Sequence, residues 1–253
     1  MPQIYLDVTR LVDRAIQGLL PTGVDRVSLA YVRHYGAYAR AVLAEKGFYT
    51  ILSASRSRQL FSLLLEEPGR HSKRALQCHV VAAVLEAPWT NKAPGLLLHT
   101  AHSGIEFERY YASLARRGIK VVAMIHDLIP LTHPEYCRPG VLPAQSRRMM
   151  VAMNRSAGII ANSADTAHSI EIMAPRLGCA APKMVTALLA GGTPVSYPGR
   201  RPLVQPYFVM LSTIGPRKNH WMLLHVWRDL VERLGDQAPT LVVIGRRGWE
   251  CEN

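Results

Sequence analysis

The chain has 253 residues, a mass of 28.1 kDa and 49% hydrophobic residues, enough apolar material to fill a substantial core and to exclude disorder as the default state. Lys and Arg number 30 against 18 Asp and Glu, giving a formal charge of +12 and a pI near 9.9, so its expected partners are anionic: nucleic acid, phosphorylated small molecules or an acidic membrane surface. Cys78, Cys137, Cys179 and Cys251 are scattered without a C-x-x-C pair, which speaks against a zinc knuckle or a disulfide framework and for a reducing cytoplasm.

The opening MPQIYLDVTR carries no leader pattern, and no apolar run approaches the roughly 20 residues that cross a bilayer. Ile4–Val8 reads as a strand, followed by a loop and a helical pattern from Val24 to about Arg40 with Val27, Ala30, Tyr31 and His34 on one face. Helices are expected near Ser57–Glu66 and Lys73–Leu85, with no chemical signature in that stretch. Leu96–Thr100 and Lys120–Ile125 are strand-like, separated by a helix over Glu106–Arg117 that Gly118 ends. A helical run after Pro143 reaches Ala157, Gly158–Ala161 is a short buried strand, Ser163 caps the next helix, and Met184–Leu188 is another strand. This alternation predicts an α/β fold with a parallel, doubly wound sheet over residues 1–190. The Gly- and Pro-rich residues 191–206 read as a linker. Beyond it Tyr207–Leu211, Asn219–Leu234 and Thr240–Ile244 form one βαβ unit in a segment, 207–253, that is too small for a whole domain.

The chemistry concentrates at the ends of these strands. His126 and Asp127 follow Lys120–Ile125, and ligands of open parallel sheets bind beyond the carboxyl ends of strands. The competing reading is a histidine bonded to a neighbouring loop and an aspartate capping a turn. A metal site from His126, Asp127 and His133 matches no standard zinc spacing, and no metal is expected. Arg217 and Lys218 precede a helix start, where free backbone N–H groups and two cations suit a phosphate; a solvated basic pair is the alternative. Gly23, at the start of the first long helix, lets a ligand approach the backbone or simply closes a turn. Gly245 follows the last strand and is a further candidate contact, as are Asn162 and Ser163, although Ser163 also reads as a helix cap. No nucleic-acid signature accompanies the charge, so no specific nucleic-acid partner is expected.

Asp7–Leu11, P-T-G-V-D-R-V at 21–27, I-H-D-L-I-P-L-T-H-P-E-Y at 125–136, I-I-A-N-S at 159–163, S-T-I-G-P-R-K-N-H at 212–220 and V-V-I-G-R-R-G-W at 242–249 run in this order from one end of the chain to the other. In them the chain resembles family 4 glycosyltransferases, the retaining, mannosyltransferase-like enzymes of GT-B fold. The resemblance implies a Rossmann-like N-terminal acceptor-side domain and the start of a second Rossmann-like domain for the nucleotide-sugar donor. It places His126 at the reaction centre with Asp127 beside it, and Arg217, Lys218 and Gly23 at the donor diphosphate. It implies no cofactor: the donor, GDP-mannose or a UDP-hexose, is a substrate. The acceptor is a glycan or lipid-linked glycan of surface polysaccharide assembly.

The chain departs from the pattern at Ser212, where some relatives have Arg, and at Gly215, where Glu is common. The family's E-x7-E motif would fall beyond Asn253. The expectation is therefore a truncated donor domain with weak or absent transfer, or a protein partner that completes it. The alternative is a noncatalytic remnant or a partner-dependent acceptor-binding or interaction module. The expected location is cytoplasmic, peripheral at the inner face of an anionic membrane.

Overall fold

The computed structural model describes residues 2–66, 73–86, 93–191, 199 and 203–248. Most of the expected linker, together with Trp249 and Cys251, lies outside them. The chain divides into one unit of Met1–Thr132 with Leu142–Ala190 and a second of His133–Val141 with Gly191–Asn253.

The first unit is an α/β structure around a seven-stranded, mostly parallel sheet. Its strands are β1 (Gln3–Asp7), β2 (Arg40–Glu45), β3 (Phe48–Ile51), β4 (Gly95–His99), β5 (Ile119–Ile125), β6 (Gly158–Ala161) and β7 (Met184–Thr186), in the order β3-β2-β1-β4-β5-β6-β7. Only β3 is antiparallel. Successive side chains of a strand point to opposite faces, so Tyr5 and Leu97 enter one apolar cluster while Leu6 and Leu98 enter the other. The first cluster is covered by α5 (Glu108–Ala115), α7 (Val141–Arg155) and α8 (Ala164–Arg176). The second is covered by α1 (Thr9–Gln17), α2 (Gly23–Tyr35), α3 (Ala54–Leu65) and α4 (Lys73–Glu86). Burial on both faces of the sheet gives the doubly wound, Rossmann-like arrangement.

Three expectations change. The stretch after β1 is not a loop but α1, whose Leu11 and Val12 are buried. The following helix stops at Tyr35 rather than near Arg40, and Arg40 opens β2. Its inward stripe is Asp25, Ser28, Leu29 and Val32; Ala30 and His34 are exposed. Lys46 and Gly47 join β2 to β3, both at positive φ (47° and 87°), the backbone of a two-residue hairpin turn of the primed type.

In the second unit β8 (Tyr207–Leu211) and β9 (Thr240–Ile244) pair in parallel through α9 (His220–Leu234). Phe208 meets Trp227 edge to face, and Trp227 Nε1 donates to Pro239 O at 2.7 Å. None of this unit's described residues is buried. No helix among the described residues is long and apolar enough to cross a membrane.

Candidate functional site

The order of strands fixes where a site forms in the first unit. From β1 the chain turns into α1 on one face of the sheet, whereas from β4 it turns into α5 on the other. The two outgoing loops diverge, leaving a crevice beyond the carboxyl ends of β1 and β4, the usual ligand position in open α/β sheets. β5 adjoins β4, and His126 follows it at the same edge.

His126 is held at two points. Its Nε2 lies 2.8 Å from Thr100 O, and since a carbonyl only accepts, the proton sits on Nε2. Its backbone N–H donates to His102 Nε2 at 3.1 Å. His126 Nδ1 hydrogen-bonds none of the described residues. Thr100 Oγ1 donates to Ser28 Oγ at 2.8 Å, and Ser28 Oγ donates to Val24 O at 3.3 Å. Through the backbone and side chain of Thr100, hydrogen bonds therefore link His126 to Ser28 and on to Val24, the residue after Gly23. A Cβ on Gly23 would meet no protein atom within 4 Å, and Gly23 is not among the positive-φ glycines. Gly23 is exposed, and neither packing nor turn geometry demands glycine there.

Around this chain lies a buried polar network. Asp7 Oδ1 accepts from Thr9 N at 3.0 Å and Oδ2 from the Tyr110 hydroxyl at 2.7 Å. His99 Nε2 donates to Ser103 O at 2.9 Å, and its Nδ1 stands 2.9 Å from the Tyr111 hydroxyl. Burial and the Asp7 charge raise the Tyr110 pKa well above the ordinary tyrosine value, so this hydroxyl remains a donor. Burial, then the neighbouring His126 and Arg148, push the His102 pKa down to about 3, keeping the ring neutral and able to accept from His126 N.

Asn162, Ser163 and His126 are tied together by Thr166. Ser163 Oγ accepts from Thr166 N at 3.0 Å, which makes it the N-cap of α8, and donates to Thr166 Oγ1 at 3.0 Å. Thr166 Oγ1 in turn lies within hydrogen-bonding distance of Asn162 Oδ1 (3.0 Å) and His126 O (3.2 Å). The polar ends of Asn162 and Ser163 thus hold the loop that carries His126. Asp127 Oδ1 accepts from Ile129 N at 3.1 Å and caps the short helix α6 (Ile129–Thr132). Among the described residues no group of three His, Cys, Asp or Glu side chains could hold a metal ion.

Beside Thr9 and Tyr110 a polar cavity of about 310 Å³ is lined by Asp13, Glu45, Glu106 and Arg148 among others. Arg148 grips Glu106 with two hydrogen bonds, 3.2 and 3.0 Å. Burial raises the Asp13 pKa, and the charges of Glu45 and Asp7 raise it further.

In the second unit Arg217 and Lys218 lie on the 3-10 turn Pro216–Lys218 beyond β8. Both are exposed, and neither makes an ion pair with a described residue. The helix amides are less free than the sequence implies: α9 begins at His220, and Asn219, at φ 51°, accepts from Met222 N at 3.3 Å as its cap. Gly245 has a backbone reason to be glycine, because a Cβ there would lie 1.6 Å from Ser212 O.

The sequence reasoning missed Asp7, His99, Thr100, His102, Ser28 and Thr166. The run His99-Thr100-Ala101-His102 had the same signal as His126, polar residues at a strand's carboxyl end. Asp7 and Ser28 are separated from it by long stretches of chain and become neighbours only through the β1–β4 pairing and the packing of α2. No family model, no curated protein and no solved structure matches the chain.

Proposed function

We propose that this chain has the GT-B plan of family 4 glycosyltransferases and binds a nucleotide-sugar, GDP-mannose or a UDP-hexose, from which a hexose passes with retention to a glycan or lipid-linked glycan acceptor. The observation that carries the reading is the pair Arg217 and Lys218, exposed at the carboxyl end of β8 without an ion-pair partner among the described residues. Departure of a nucleoside diphosphate builds negative charge, and fixed cations stabilise it most in the transition state. Arg217 can fork onto two phosphate oxygens, while Lys218 acts as a point charge.

The first unit supports the acceptor side. His126 is oriented through Nε2, leaving Nδ1 to accept from a sugar hydroxyl. Asp13, Glu45, Glu106 and Arg148 line a cavity whose carboxylates and guanidinium suit hydroxyl groups. The structural reading of Asp127 as a turn cap leaves it the weaker of the two candidate catalytic residues.

Calorimetric titration with UDP, GDP and GDP-mannose tests this. Binding that weakens tenfold or more in Lys218→Ala is expected; absence of binding at millimolar nucleotide defeats the reading. A second reading, a module that binds glycans without transferring sugar, is favoured by the lack of any buried residue among those described in the second unit. It predicts glycan binding without release of nucleoside diphosphate from a sugar nucleotide.

A further inference from the structure

On the α1–α4 face of the first unit a cavity of about 720 Å³ plays no part in glycosyl transfer as proposed. Its size falls within the roughly 300–1,000 Å³ of small-molecule sites. Its walls include Leu11 and Ala15 of α1, Leu19 beyond it, Leu29 of α2, and Leu64 and Leu65 at the end of α3. A polar ligand or a peptide backbone would leave hydrogen-bonding groups unsatisfied against such walls. Hydrocarbon would not.

The rim has the opposite character. Arg26 and Arg33 project from α2, and Lys73 opens α4; all are exposed and none makes an ion pair with a described residue. Lys73 also lies over the glycine that ends α1, since a Cβ on Gly18 would come 2.7 Å from its Nζ. The buried acid of the cavity, Asp25, is already neutralised. It accepts from Arg10 Nε at 2.8 Å and from Thr22 N and Oγ1 at 2.7 and 2.6 Å, with Arg14 Nε also 2.8 Å away. Glu66 is the remaining acid among the described lining residues, so these carry a positive excess at the mouth. Leu20, 71% exposed, stands at the same mouth.

From leucine walls under a rim of free cations we infer that this cavity binds a lipid phosphate, its hydrocarbon chain among Leu11, Leu19, Leu29 and Leu64 and its head on Arg26, Arg33 and Lys73. Two guanidinium forks and an ammonium suit a phosphate, which carries more charge and more acceptor oxygens than a carboxylate. The inference does not rest on the glycosyltransferase reading, because it involves neither His126 nor Arg217 and Lys218.

The test is calorimetric titration of the full chain with lysophosphatidic acid below its micellar concentration. Lysophosphatidylcholine, with the same chain but a zwitterionic head, and glycerol 3-phosphate, a head without a chain, are titrated in parallel. Binding of one molecule per chain is expected, at least tenfold tighter than either control. The double substitution Arg26→Ala with Arg33→Ala removes the head contacts at the surface and should weaken binding tenfold or more. Ala15→Trp fills the cavity and should do the same, with circular dichroism and the melting temperature reporting whether the fold is kept; if it is lost, Leu19→Gln takes its place. Equal binding of glycerol 3-phosphate would leave an anion site only, and equal binding of lysophosphatidylcholine an apolar site only. Either result overturns the inference, as does undiminished binding in the substituted chains or no binding at all. Lys218→Ala should leave lipid binding unchanged, so failure here and failure of the nucleotide titration are read separately.

Discussion

At Gly23 stability and binding are expected to part company. A methyl group there enters open space at the first helical position of α2, and Ala is favoured over Gly in helices by roughly 0.5–1 kcal/mol. Gly23→Ala should therefore leave the melting temperature unchanged or slightly higher. If a diphosphate or sugar approaches this backbone, nucleotide-sugar affinity should fall about tenfold, roughly 1.4 kcal/mol. A drop in both quantities would return the glycine to a structural role. His102 yields a separate prediction. Its ring titrates near 6.5 when unfolded, but near 3 in the fold, chiefly because of burial. Between those values the unfolded chain binds the extra proton, so stability is full above about pH 6.5 and declines toward pH 3, by at most about 1.4 kcal/mol per pH unit. His102→Gln keeps an acceptor for His126 N but does not titrate; urea melts of this variant should show a shallower loss in the window. An unchanged slope would mean that other groups govern acid unfolding.

At the scale of elements, the β6–α8 junction is where a small change should travel furthest. Thr166 is 5% exposed, and its hydroxyl connects Ser163, Asn162 and the His126 carbonyl. Thr166→Val keeps the shape and removes the hydroxyl, leaving polar groups of Ser163 and Asn162 without that partner. A loss of about 1–3 kcal/mol in urea unfolding is expected, together with weaker binding of any ligand held by His126. Ser163→Ala should cost about 0.5–2 kcal/mol through the lost cap. That cap was legible because N-S-A-D has a cap's chemistry at a strand-to-helix turn. The β2–β3 hairpin was not. Arg40–Glu45 is rich in Ala, Leu and Glu, residues that favour helix locally, and its pairing with β1 on one side and β3 on the other makes it a strand. Its turn was hidden for a related reason: Lys46 occupies a positive-φ position where Asn or Asp would have announced a hairpin. By contrast Gly158–Ala161, Tyr207–Leu211 and Thr240–Ile244 were readable to the residue, each a short apolar run between turn signals.

Across the whole molecule, burial is unequal, and the candidate site inherits the inequality. The strands β4 and β5 contribute Leu97, Ile119, Val121, Ala123 and Ile125 to a continuous core, each at most 3% exposed. Phe208, Val209 and Leu211 of β8 are exposed by more than half, with Leu211 at 77%. Local opening free energies track buried apolar contacts, so amides of β4 and β5 should exchange hydrogen only on global unfolding. Those of β8 and β9 should exchange at least ~100-fold faster. This sets a sharper condition on the phosphate reading than affinity alone. A ligand at 100 times its Kd stabilises the state that binds it by about 2.7 kcal/mol, close to a 100-fold slowing. Saturating GDP should therefore slow exchange in β8, β9 and the first turn of α9, and leave β4 and β5 unchanged. The same slowing should vanish in Lys218→Ala. Protection confined to the first unit would instead assign the nucleotide to the neighbourhood of His126, where hydrogen bonds through Thr100 and Ser28 reach Val24. Sequence alone could not distinguish these outcomes, because Arg217-Lys218 and His126-Asp127 both follow strands and differ in how much of the surrounding fold is buried around them.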